Sequence, residues 1–155
     1  MPEIGPSPDF AANVTQPFNE RSSLEQAWGT YGVLWPVVHQ QLGVDPQLGH
    51  GLLEVLPSVP LGQSTVSGTA IRIGAGMIDV TATHSGTSWT TTVTPSRLTC
   101  TLHAGATLPA GSTVQSVTLN GTPVTNYSTR DTNSGRQVVV STTCGSTAQV
   151  KVVAS

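Results

Sequence analysis

Three carboxylates near the start of the chain, Glu3, Asp9 and Glu20, have the clearest capacity for acid–base chemistry. Glycoside hydrolysis needs two carboxyl groups flanking the scissile bond, one protonated as acid and one ionised as base. Glu3 and Asp9 lie in a Pro-rich segment and Glu20 lies just before a helix. Loops at helix ends are where a helical barrel displays such groups. By composition alone, all three read as solvent-exposed acids.

The other reactive side chains are more scattered. His39, His50, His84 and His103 do not pair at metal-ligand spacing, and there is no CxxC, so neither a metal site nor a cofactor is expected. His39 reads as a polar flank of the helix. Trp89, in a strand, fits either a sugar-stacking platform or packing between sheets. Asn13-Val14-Thr15, Asn120-Gly121-Thr122 and Asn126-Tyr127-Ser128 match the glycosylation pattern, which a Thr-rich chain also produces by coincidence. Cys100 and Cys144 each end a strand-like run. A disulfide pinning two strands and a pair of separate thiols are both compatible with that placement.

These residues need elements to hold them. "MPEIGPSPDFAANVTQPFNERS" carries Pro2, Pro6, Pro8 and Pro17 and no sustained periodicity, so it reads as an extended segment lying on something else. A helix over 22–43 follows. Ser22 and Glu25 form a capping box, each side chain satisfying a free backbone N–H of the first turn. Leu24, Trp28, Tyr31, Trp35, Val38 and Leu42 recur on one face. Gly43 suits a left-handed stop, and Pro36 should kink the helix or open one turn.

From Leu52 the period changes from helical to two. "LLEVLPSVP" reads as a short strand running into a Pro-punctuated loop, and Ala70–Ile73, Met77–Thr83, Trp89–Thr94, "RLTCTLHAG", "RQVVVST" and "AQVKVVAS" read as further strands. "TVQSVTLNGTPVTNYST" reads as a hairpin turning at Asn120-Gly121, the two positive-φ residues of a type I′ turn. The expected fold is mainly β: an antiparallel β-sandwich of about seven or eight strands, preceded by one amphipathic aromatic helix. The expected division is an extended segment, helix and linker over 1–51, then the sandwich over 52–155.

Composition narrows the function classes. Of 155 residues, 9% are charged and 39 are Ser or Thr, which suits sheets with hydroxylated rather than charged outer faces. Six Lys plus Arg and a net charge of -2 argue against nucleic-acid binding. No apolar run is long enough to span a bilayer, so no membrane partner is expected. No signal peptide is visible. The chain would be exported as part of a longer precursor, or otherwise remain cytoplasmic.

"MPEIGPSPDF…ERS…QAWGTYGVLWPVVHQQLGVDPQLGHGLLEVLPSVPLGQ", from Met1 to Gln63, resembles the C-terminal end of bacterial six-hairpin, (α/α)6-barrel glycoside hydrolases. The nearest branch is the glucoamylase-like and glycogen-debranching-like proteins of actinobacteria. Similarity continues more weakly through "AIRIGAGMIDVTAT". The resemblance implies a β-sandwich following the last barrel helices, and hydrolysis of an α-glucan by an inverting mechanism. It places the general base on Glu3, with Glu20 the weaker candidate, and gives Trp28 or Trp35 a part in shaping the barrel end.

The 155 residues have no room for the other barrel helices or for the partner acid, and Met1 coincides with an internal Met of the longer proteins. The expectation is therefore a C-terminal fragment, not catalytic alone, that gains activity only with a barrel-supplying polypeptide. A non-catalytic module binding polysaccharide through the sandwich and Trp89 is the first alternative. The second is an interaction protein that docks or self-associates through Trp28, Tyr31 and Trp35.

Overall fold

A computed structural model describes residues 32–155. The chain forms two compact units, Met1–Val37 and Val38–Ser155. Glu3, Glu20, Trp28, Tyr31 and the Ser22–Glu25 capping box lie outside the described residues. Residues 32–35 are α-helical, and the hydrogen bonding widens to a π-helix over Pro36–Gln41. The ring of Pro36 has no N–H to give to the preceding turn, and the wider turn starts at that residue. Gly43 then takes φ +62°, and a Cβ there would overlap the Leu56 carbonyl. The stop is therefore fixed by conformation and by close packing together.

The second unit is a two-layer β-sandwich of eleven strands. They are β1 (Val44–Gln47), β2 (Leu52–Val55), β3 (Thr65–Ile73), β4 (Gly76–Ser85), β5 (Ser88–Ser96) and β6 (Thr101–Leu108). Then follow β7 (Val114–Leu119), β8 (Thr122–Pro123), β9 (Ser128–Thr132), β10 (Gly135–Thr143) and β11 (Ala148–Ala154). One sheet has the order β1-β2-β6-β10-β9, the other β3-β4-β5-β11-β7-β8. Neighbours are antiparallel except β2 and β6, which run parallel.

Alternation builds the core. In β4, Ile78, Val80 and Ala82 point inward and are at most 2% exposed, while Asp79 and Thr81 face solvent. Val93 of β5, Leu102 and Ala104 of β6, Val138 of β10 and Val152 of β11 meet them, all fully buried. Full burial of a Val or Leu side chain contributes about 1.5–3 kcal/mol, so these facing rows supply most of the drive to stack the sheets. Leu42, just past the helix, is 3% exposed and closes the same core.

Two strands were not legible in the alternation. β1 contains Pro46 and sits on a sheet edge, where a missing N–H breaks no ladder. β9, "STRDT", is exposed at every position and is the opposite edge of the same sheet. The Asn120-Gly121 turn has φ +50° and +81°, as type I′ requires, and closes β7 onto β8. Cys100 and Cys144 are joined in a disulfide with Cα atoms 5.3 Å apart, and the Cys144 N–H donates to the Cys100 carbonyl.

Candidate functional site

The outer face of the β1-β2-β6-β10-β9 sheet carries the one charged cluster that joins distant strands among the described residues. It starts from "LLEV": Leu53 and Val55 go into the core, so Glu54 must project from the other side. The parallel register sets Glu54 beside His103, with Nδ1 3.9 Å from Oε2. His103 in turn pairs with Ser141 of β10. From the edge strand, Arg130 donates through Nη2 to Glu54 Oε1 and through Nε to Gln137 Oε1 at 2.6 Å. The Glu54 side chain is 13% exposed and that of Arg130 50%, so the carboxylate is sheltered and the guanidinium forms the rim.

A cleft of about 260 Å³ opens between this ion pair and the 126–128 loop, with Asn126, Tyr127, Ser128 and Ser141 completing its walls. Tyr127 also packs against the core. Asn126, Tyr127 and Ser141 make no side-chain hydrogen bond to another described residue. On the other side of Glu54 a second depression, about 160 Å³, is lined by Asp45, His39, Gln40 and Gln137. The Glu54–Arg130–Gln137 chain of hydrogen bonds borders both.

A third cavity, about 340 Å³, lies at the open end of the sandwich and shares Ser58, Thr107 and Ser134 with the second. Trp89 lines it but is 9% exposed and belongs to the core. Its ring stacks on His84, the residue paired with it across β4 and β5, with centroids 4.5 Å apart and planes 14° apart. One face of the indole is thus covered by an imidazole. Leu61, fully exposed, stands on the rim.

Each side-chain carboxylate among the described residues accepts a hydrogen bond from another residue. Asp45 accepts from Gln47 Nε2 at 2.8 Å, and Asp79 accepts from the Ala70 backbone N–H at 2.7 Å. Asp131 takes two hydrogen bonds from Arg136, at 2.8 and 2.9 Å. That hydrogen bonding, reinforced by charge attraction, lowers the Asp131 carboxyl below its ordinary value and raises Arg136. Among the described residues, no three His, Cys, Asp or Glu side chains stand close enough to hold a metal ion.

The structure places the sequence-derived candidates as follows. Trp35, 42% exposed, belongs to the Met1–Val37 unit. His39 borders the second depression, His84 stacks on Trp89, and His103 faces Glu54. Asn120 uses its side-chain oxygen to accept from the Gln149 N–H, whereas Asn126 is exposed on the cleft wall. Glu54 and Arg130 were missed. The available signal was a single charge inside an otherwise apolar strand, "LLEVL". Compared with protein-family models and with curated proteins, the sequence matches none.

Proposed function

We propose that this chain is the non-catalytic accessory β-sandwich of a carbohydrate-active protein, in which hydrolysis of an α-glucan belongs to a helical barrel supplied by other polypeptide. The observation that carries this reading is the state of the carboxylates on the sandwich. Asp45, Glu54, Asp79 and Asp131 each already accept a hydrogen bond from another residue. Glycosidic acid–base chemistry requires one carboxyl group kept protonated and another free to act on water or on the sugar. A carboxylate with an oxygen already engaged by a guanidinium is poorly placed for either part. The resemblance over Met1–Gln63 supplies the link to glycosidases, with Glu3 the base once a barrel surrounds it. The Cys100–Cys144 disulfide supports an oxidising compartment as the place of work.

A second role is favoured by the outer-face cleft: holding polysaccharide near the catalytic domain. The decisive test of the non-catalytic assignment is turnover. The purified chain incubated with glycogen should release no reducing sugar above buffer. Release that disappears in Glu54→Gln would show a catalytic sandwich and overturn the assignment.

A further inference from the structure

We infer that the cleft bounded by Glu54, Arg130, Asn126, Tyr127 and Ser141 is a binding site for a neutral, polyhydroxylated ligand, a glycan chain. The inference rests on the proposed carbohydrate role and locates it on the sandwich.

The charges decide the ligand class. Glu54 and Arg130 neutralise one another inside the cleft, leaving neither a cationic pocket for phosphate or carboxylate nor an acidic one for a cation. A ligand bringing its own charge would have to break that pair. A ligand with hydroxyl groups would not, because a hydroxyl both donates and accepts. Glu54 Oε2 lies 3.9 Å from the nearest His103 nitrogen, beyond hydrogen-bond length, and so retains acceptor capacity. Arg130 uses Nε and Nη2 within the protein, which leaves its Nη1 hydrogens to donate outward. Together, the Oε2 acceptor and the Nη1 donor can meet two hydroxyls of a sugar, one donating and one accepting.

The other walls match. Asn126 offers a donor and an acceptor, Ser141 a hydroxyl, and Tyr127 an aromatic ring with a polar end, none of them in a side-chain hydrogen bond among the described residues. Elsewhere the described carboxylates are already engaged. Here a locked ion pair is ringed by unused hydrogen-bonding groups. The volume of about 260 Å³ lies just below the ~300–1,000 Å³ of pockets that enclose drug-sized molecules. The second depression, on the far side of Glu54, extends the polar track along the sheet, as a linear oligosaccharide requires.

The test is affinity gel electrophoresis of the full chain in gels containing glycogen, followed by calorimetric titration with maltoheptaose. Variants Asn126→Ala, Arg130→Ala and Ser141→Leu are compared with Lys151→Ala, an exposed change on the other sheet. Thermal melts establish that each variant is folded. Ser141 is itself exposed, so its replacement fills the cleft without emptying the core. We expect retardation of the wild type and of Lys151→Ala, with binding weakened about tenfold or more in the three cleft variants. Equal retardation of folded cleft variants would overturn the site while leaving glycan binding in place. No retardation of the wild type by glycogen, xylan or galactomannan would overturn the ligand class. The non-catalytic assignment would then still stand on its own turnover test.

Discussion

Arg130 and Glu54 are 76 residues apart in the chain, with two strands between them in the sheet, yet the guanidinium of one meets the carboxylate of the other. The contact crosses β6 and β10 and ties the edge strand β9 back to β2. Because the Glu54 side chain is 13% exposed, removing Arg130 leaves a sheltered charge with weaker compensation. We expect Arg130→Ala to destabilise the sandwich by about 1–3 kcal/mol in urea unfolding. A double-mutant cycle with Glu54→Ala should return a clear coupling. Strict additivity would mean the pair contributes nothing to folding.

The disulfide closes a sequence separation of 44 residues between the start of β6 and the end of β10. A loop of that length, if the bridge acts through the unfolded chain, corresponds to about 4 kcal/mol. Replacing both Cys100 and Cys144 by Ser should lower the melting temperature strongly, and reducing agent should do the same to the wild type. Identical melting curves with and without reductant, with the thiols shown to be free, would mean that the bond does not stabilise the sandwich.

Gly105 and Gly86 should respond to the same change to very different degrees. A Cβ on Gly105 would overlap the Val138 carbonyl across the ladder, whereas one on Gly86 meets nothing within 4 Å and has only the strain of φ +58°. Gly86→Ala should therefore cost about 1 kcal/mol. Gly105→Ala should cost more than about 3 kcal/mol or yield no folded protein, since backbone cannot move aside cheaply. Equal melting temperatures for the two variants would contradict the close approach of β6 to β10.

Asp131 and Arg136 predict an acid-side effect. The carboxyl is held below its ordinary value by the Arg136 hydrogen bonds, so its contribution is complete above the usual carboxylate range, about pH 4. It is lost as pH falls through the lowered value. Asp131→Asn should thus be less stable than wild type at neutral pH, with the gap closing in strong acid. A gap that widened on acidification would reverse the assigned sign. Arg136 also donates to the Ser112 carbonyl at 2.8 Å, so Arg136→Ala should lose more than Asp131→Asn.

The fold was legible where one face of a strand is buried and the other is wet. "MIDVTATH" and "AQVKVVA" alternate because Ile78, Val80, Val150 and Val152 have a single place to go. The Asn120-Gly121 hairpin was legible because its turn chemistry is local. β1 and β9 were not, since an edge strand exposed along most of its length has no reason to alternate. The parallel pairing of β2 with β6 was equally hidden, because alternation says which face a residue takes and nothing about its neighbour. The cleft depends on that pairing. Glu54 meets His103 only through it, and Arg130 arrives from an edge that carries no pattern. The cysteines left two outcomes open for the same reason: their distance is a property of β6 lying beside β10.

The place of β11 in the second sheet bears on how the protein is made. Ala148–Ala154 lies between β5 and β7, hydrogen-bonded on both sides, and brings Val150, Val152 and Ala154 into the core. As a nascent chain leaves the ribosome, every other strand emerges first, yet that sheet has a gap at its centre until this one arrives. Pairs such as β4 with β5 can form early, while the stacked core must wait. Stalling before Ala148 would therefore leave exposed the rows of β5 and β7 that the finished protein never shows to solvent, and a chaperone would have those rows to bind.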